Sequence, residues 1–360
     1  MKIIFLGAFS DADITKAPIK VGRELFNNFV LMGMDAVYLC YYDDGSKYSR
    51  IQKLIGFEKV KERIFRSGIF PLILFVFKNK PDVIQIINAD AFYLPILFLK
   101  PLLKFKIAYL SHSIISYSVK NYLQINCYHK IRFRIIEQMV LKHADILEVL
   151  SKVEARFLTK FLKAKKEKIK IVDNGINHLG MKKEYIDKSE EIKIIFVGSI
   201  NRKEKSFDFL LRALSELKNE IKLNVFSFET QAKSNLEIPE NVKLIIGEPL
   251  KEADLRKEFC NSDLLIVSSS HESFGLSLLE GMDTGILFIS TDRVGLTERF
   301  PGSLKRFVIP YGNTEKLKDK IIELHYLDDA EKNELSESIR NFSSQFSWDK
   351  IAHSYLKFLN

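Results

Sequence analysis

Short apolar runs alternate with amphipathic stretches along the whole chain, and their spacing predicts strands followed by helices. In the first half the expected strands are KIIFLGA, DAVYLCY, DVIQII, KIAYLSH, ILEVLS and KIKIVDN, with VGRELFNNFVLMG as an amphipathic helix between the first two. The second half restarts the pattern: KIIFVGS echoes KIIFLGA, the helix FDFLLRALSELK follows, and KLNVFSF, VKLIIGE, LLIVSSS and ILFIST are the later strands. Strands regularly separated by helices imply an α/β class with parallel sheets, here two doubly wound halves in tandem. The apolar period lapses in NHLGMKKEYIDKSEEIK, which places the join there. Two such halves are expected to hold ligands in a cleft at the carboxyl ends of their strands.

A length of 360 residues suits two domains, and 46% hydrophobic with 28% charged residues suits folded ones. Cys40, Cys127 and Cys260 are scattered and odd in number, which suggests neither a disulfide framework nor a zinc site and fits a reducing cytoplasm. MKIIFLGAFSDAD reads as a first strand rather than a signal peptide. GIFPLILFVF and AFYLPILFLKPLL fall short of the ~18 to 20 apolar residues that span a bilayer. Charge is uneven: residues 1–180 carry 29 Lys and Arg against 16 Asp and Glu, a net of +13, while the remainder carries 26 against 30, a net of −4. The basic half could meet nucleic acid, an anionic membrane surface or an acidic substrate, or be a solvated surface. No basic helix or aromatic platform with a nucleic-acid reading geometry accompanies it.

Neither half has a G-x-G-x-x-G after its first strand, and no Walker A sequence occurs, which disfavours a dinucleotide-binding dehydrogenase. The stretch SSSHESFGLSLLEGMDTGILFIS, residues 268–290, carries the most specific chemistry. It predicts a strand, a turn over His271–Gly275, and a helix whose opening amides at Ser273, Phe274, Gly275 and Leu276 favour an anion or sugar hydroxyls. Glu272 sits beside that anchor. Glu280 lies four residues after Leu276 among Leu278, Leu279 and Met282, where an unpartnered carboxylate would be costly. A ribose diol would satisfy it, and so would a structural arginine or lysine. Asp11 and Asp13 form a D-x-D, read as loop rather than metal site.

The same stretch resembles the E-x7-E signature of the retaining GT-B glycosyltransferases of family four, and pattern similarity extends over essentially the whole chain. VGRELFNNFVLMGMDAVYL is similar to that family's first helix and following strand, keeping Gly22. AYLSHSI is similar to its strand ending in a histidine, here His112, VDNGIN to its turn before the linker, and STDRVGLTERF to the turn after the E-x7-E helix. FVGSINRKEKSFDFLLRAL resembles its phosphate-meeting segment, but Ser199 stands where arginine is usual and Ser206 where glycine is usual.

The resemblance implies a GT-B architecture of two Rossmann-like domains facing across a cleft: residues 1–180 on the acceptor side, 191–340 binding the nucleotide sugar, and 341–360 a helix crossing back. It implies Glu272 and His112 at the sugar, Ser273, Phe274, Gly275 and Leu276 cradling the donor, Arg202 and Lys205 at its diphosphate, Glu280 on its ribose, and Gly22 on the acceptor side. No metal and no cofactor are implied. The expected partners are a UDP- or GDP-linked sugar and a saccharide or lipid-linked acceptor of cell-surface polysaccharide synthesis, with no nucleic acid. The expected location is the cytoplasm, with Phe98–Lys106 as a candidate peripheral contact to an anionic inner membrane face. A non-catalytic partner subunit or a sugar-nucleotide epimerase of the same fold are the alternatives.

Overall fold

A computed structural model describes residues 1–11, 17–41, 48–87, 90–112, 114, 116–117, 126–186, 190–227 and 237–359. The chain forms two compact units, Met1–Gly175 with Trp348–Asn360, and Ile176–Ser347. The junctions are marked locally. Gly175 packs so closely on Trp348 that a Cβ would lie 2.6 Å from the indole. Ile176 donates to the Phe346 carbonyl at 2.8 Å and bridges Ser347.

In the first unit, β1 (Lys2–Leu6), β2 (Asp35–Tyr41), β3 (Phe57–Lys61), β4 (Ile64–Ser67), β5 (Val83–Ile86), β6 (Lys106–Ser111), β7 (Ile146–Val149) and β8 (Ile169–Ile171) form one sheet in the order β3-β4-β2-β1-β5-β6-β7-β8. All pairs are parallel except β3 with β4. The β3–β4 hairpin is an addition that the sequence pattern did not predict. FEKVK is an edge strand with four of its five residues exposed, so no apolar face announces it. Ile3, Ile4, Phe5 and Leu6 are all buried, as expected of a parallel strand covered on both faces. Gly7 and Gly22 lie against Tyr38, where a Cβ would come within 2.5 and 2.8 Å of the hydroxyl oxygen.

The helices described in this unit are α1 (Ala17–Leu31), α2 (Arg50–Ile55), α3 (Ile69–Asn79), α4 (Leu94–Leu103), α5 (Cys127–His143) and α6 (Lys152–Lys160). The C-terminal helix Trp348–Leu359 packs beside α1, whereas α2, α3, α4 and α5 adjoin one another in that order.

Glu148 stands on β7, beside the edge strand β8, fully buried, with Oε2 accepting from Gln85 Nε2 of β5 at 2.7 Å. Burial pushes its carboxyl up to about 7, against a small opposing effect of the Gln85 bond. A group protonated in the folded state but ionised in the unfolded chain makes stability fall as pH rises between the two values. The Glu148 contribution to stability is therefore expected to fall by about 2 kcal/mol from pH 5 to pH 7.5, while the neutral His112, with its lowered pKa, contributes a rise over the same range; Glu148→Gln should remove the fall, so that the variant's stability climbs more steeply with pH than that of the wild type. Parallel pH profiles of wild type and variant would show that Glu148 makes no such contribution.

The second unit holds β9 (Ile192–Val197), β10 (Ile221–Phe226), β11 (Val242–Gly247), β12 (Leu264–Val267), β13 (Leu287–Thr291) and β14 (Val308–Ile309) in an all-parallel order β11-β10-β9-β12-β13-β14. Its helices are α7 (Phe207–Ser215), α8 (Glu252–Asn261), α9 (Leu276–Thr284), α10 (Thr314–His325) and α11 (Asp329–Ser343); Trp348–Leu359 is α12. The direction of winding reverses between β9 and β12, and the loops leaving β9, β12 and β13 meet at that carboxyl edge. The charged stretch expected as a join is instead tied to this unit up to residue 186. Tyr185 donates its hydroxyl to the Asp263 carbonyl at 3.2 Å and accepts from Leu287 N–H at 2.7 Å, and Lys183 Nζ donates to the Cys260 carbonyl. Among the described residues no helix is long and apolar enough to cross a membrane.

Candidate active site

Three loops build the site at the carboxyl edge of the second sheet. The loop after β9 turns through Gly198, whose φ of +147° and missing Cβ leave room for the aliphatic chain of Lys205, 3.2 Å from where a Cβ would sit. The short 3₁₀ turn Lys203–Lys205 then ends at Ser206 with φ 48° and ψ 48°. This left-handed position explains why glycine is favoured there and how serine is accommodated: its Oγ donates to the Lys203 carbonyl at 3.2 Å and contacts Tyr311 Oη at 3.1 Å. The turn is stitched to the loop after β12. Ser268 Oγ donates to the Lys205 carbonyl at 3.0 Å, and Ser270 N–H to that of Glu204 at 2.8 Å.

That stitching delivers Lys205 to Glu272. Lys205 Nζ donates to Glu272 Oε1 at 2.8 Å, Ser269 Oγ donates to Oε2 at 3.1 Å, and the charged pair is mostly shielded from water. The third loop fixes the backbone: Glu272 N–H donates to the Arg293 carbonyl, Gly295 N–H to that of Glu272, and Leu296 N–H to that of Phe274. Gly275 caps α9 with φ +105°, and a Cβ there would lie 2.6 Å from Val294 Cγ1. No side chain caps this helix, and Leu279 N–H is the first to donate within it, to the Gly275 carbonyl at 3.0 Å, so the amides of Gly275, Leu276, Ser277 and Leu278 have no intrahelical partner and form an anion-favouring end directly after Glu272. Ser273 and Phe274 complete the turn. Burial keeps the neighbouring His271 imidazole below its ordinary pKa, with Glu272 and Glu204 opposing the shift.

Glu280 is buried in α9, and the cation near it is Arg256 of α8. The guanidinium is wholly buried, with Nη1 3.9 Å from Glu280 Oε2, Nε 3.6 Å from Asp283 Oδ2 and Nη2 3.4 Å from Glu252 Oε1. Asp283 in turn meets His178 Nδ1 at 2.5 Å. One buried cation thus faces three carboxylates.

Arg202 does not join Lys205 and Glu272. Its guanidinium is held by the buried Glu204, and the side chain remains more than half exposed. In the first unit His112 follows β6; its Nε2 is shut from solvent and has no hydrogen-bond partner among the described residues, although part of the residue is exposed. Burial drives its pKa down to about 3, so the ring is neutral and ready to exchange one hydrogen bond with an uncharged group. Gly22, expected on the acceptor side, is a buried packing position of α1 against Tyr38 and Ile87. Asp11 pairs with Lys61 at 2.8 Å, and Asp13 lies outside the described residues. Among the described residues no group of three His, Cys, Asp or Glu side chains could hold a metal ion.

Arg256, Asp283 and His178 were not picked out from the sequence. A signal for Arg256 was present: it lies beside Leu255 and three residues before Phe259 on the buried face of α8, where an arginine demands partners.

The profile of the family glycosyl transferases group 1 matches residues 191–326, which contain the Lys205–Glu272 pair and the Arg256 cluster. The second unit thus carries a stretch similar to the group 1 glycosyl transferases. Over a longer span the chain is similar to an uncharacterized 41.2 kDa protein in the cps region of Klebsiella pneumoniae, 26% identical and covering 81% of this chain and 82% of that one. It is also 29% identical to an N-acetyl-alpha-D-glucosaminyl L-malate synthase of Bacillus anthracis, over 49% of this chain and 47% of that protein. Among solved structures, a sucrose-phosphate synthase of Thermosynechococcus elongatus superposes with a TM-score of 0.73 at 15% identity, covering 99% and 98% of the two chains. HepE of Anabaena, solved in complex with UDP-glucose, gives 0.70 at 14%, covering 100% and 99%. The two α/β units therefore have the GT-B fold.

Proposed function

We propose that the protein is a retaining, metal-independent glycosyltransferase that moves a hexose from a UDP- or GDP-linked donor to a saccharide or lipid-linked acceptor in cell-surface polysaccharide synthesis. The observation that carries this reading is the Lys205–Glu272 contact at the open N-terminus of α9. It puts a cation, a carboxylate and unpaired amides at the carboxyl edge of a doubly wound sheet, the combination a sugar diphosphate needs. The similarity to a cps-region protein supports the polysaccharide setting, and the UDP-glucose bound by the similarly folded HepE supports a uridine donor.

In this mechanism Lys205 keeps one donor on Glu272 and offers another to the diphosphate. The acceptor hydroxyl adds to the anomeric carbon as the bond to the phosphate oxygen breaks; the electron pair leaves with the diphosphate, whose oxygen takes the hydroxyl proton. Charge grows on that leaving group, and Lys205 with the α9 amides stabilises it. Glu272 accepts from the sugar hydroxyls, Glu280 accepts from the ribose diol, and neutral His112 bonds a sugar hydroxyl. Arg202, exposed beside Glu204, supplies longer-range positive potential. The reading is tested by incubating the protein with UDP-, GDP- and ADP-hexoses and following nucleoside diphosphate release. Release from one nucleotide class, with the sugar delivered in unchanged anomeric configuration, is expected; an inverted product would reject the retaining mechanism.

A further inference from the structure

The first unit carries an outward face that a water-soluble surface does not call for. On three adjoining helices the residues pointing away from the sheet are apolar at helical spacing: Phe70, Leu74 and Phe77 on α3, Phe98 and Leu102 on α4, Ile131 and Ile135 on α5, each exposed by half or more. The opposite sides of the same helices bury Leu72 and Val76, Ile96 and Leu97, and Val140 and Leu141 in the core. α3 and α4 are apolar on both sides, whereas a surface helix keeps its outer side polar, and α5 adds Ile131 and Ile135 among exposed cations. The adjoining α2 continues the exposed apolar row.

Charge on this face has one sign. Within the helices α2, α3, α4 and α5 themselves the sole acidic residue is Glu137, which is buried and accepts from Ser116 N–H at 3.1 Å. Lys78, Lys130, Arg132, Arg134 and Lys142 of the helices are exposed, as are Lys80 and Lys104 that cap two of them.

We propose that this face docks on an anionic phospholipid surface, with the α3–α5 side chains entering the boundary between headgroups and acyl chains and the lysines and arginines held at the phosphates. Among the described residues no helix is long and apolar enough to cross, so the proposed contact is one in which this face lies on the membrane. A second copy is the poorer occupant because a symmetric pairing would set two basic faces against each other. A folded protein partner is disfavoured because interface cores are depleted in lysine. The proposal is independent of which sugar is transferred and extends the expected contact at Phe98–Lys106 to a face of several helices.

The test is flotation of the full-length protein with phosphatidylcholine vesicles, with and without phosphatidylglycerol. Wild type is expected to float with the anionic vesicles and to be stripped from them by salt. Charge reversal at Lys130, Arg132 and Arg134 should weaken binding about a hundredfold or more. Serine at Phe70, Leu74 and Phe98 should weaken it at least about tenfold without lowering the melting temperature, since those side chains are exposed. Wild type left at the bottom of the gradient, equal binding to neutral vesicles, or variants that float as well as wild type would each overturn the proposal. So would a wild-type dimer that the serine variant converts to monomer, which would make the face a self-interface.

Discussion

Replacing Lys205 with methionine is expected to slow nucleoside diphosphate release by about 10²- to 10³-fold, the range seen when one preorganised donor to a developing charge is lost. Methionine keeps most of the aliphatic length that lies across Gly198, so the change removes charge more than packing. It also leaves the Glu272 carboxylate with the Ser269 hydroxyl as its remaining hydrogen-bond donor among the described residues. A purely structural role for the lysine, as the partner that neutralises Glu272, predicts something different. In that case the double variant Lys205→Met/Glu272→Gln would regain the rate lost in the single one. The transfer account expects no such recovery, because both groups meet the donor. The comparison of single and double variants separates the two roles.

Arg256→Met is expected to be the most destabilising single change in the second unit. It strips the buried cation from Glu252, Glu280 and Asp283 and leaves carboxylates facing one another in poorly solvated surroundings. Breaking a buried ion pair from one side costs about 3–5 kcal/mol, which for a domain of this size lowers the melting temperature by about 6–20 °C. Adding Glu280→Gln should recover part of that stability by removing one of the repelling charges. The double variant should nevertheless fail to bind nucleotide, because the ribose ligand is gone. Arg256→Met melting with wild type would mean that the three carboxylates do not depend on the guanidinium.

The fold was legible because both halves repeat strand and helix periods cleanly, and because KIIFLGA and KIIFVGS mark two equivalent first strands. The β3–β4 hairpin escaped because a mostly exposed edge strand has no apolar face to read. The strap over residues 177–186 escaped because its anchors are backbone carbonyls and single polar side chains, which leave no periodic trace. At the site, the pairing of Lys205 with Glu272 joins two residues that the family resemblance had singled out separately. The need of Glu280 for a partner was also legible. Its answer was not, since Arg256 sits in EADLRKEF, a string that looks solvated until Leu255 and Phe259 are seen to share its buried face. The outward apolar rows of α3–α5 were hidden for the opposite reason. GIFPLILFVF is short and apolar all round, so its composition alone does not separate a core helix from one with an exposed greasy side.

The central claim is that the second unit binds a nucleotide sugar with Glu280 on the ribose, and thermal unfolding of wild type and Glu280→Ala with UDP, GDP, ADP, CMP and their sugar conjugates tests it most directly. A ligand at 100 times its Kd adds about 2.7 kcal/mol to the folded state, a rise of about 5–10 °C for a domain of this size. The account predicts such a rise with one base, UDP or GDP, and its loss in Glu280→Ala. A rise that persists undiminished in the variant, or none with any nucleotide, would contradict it.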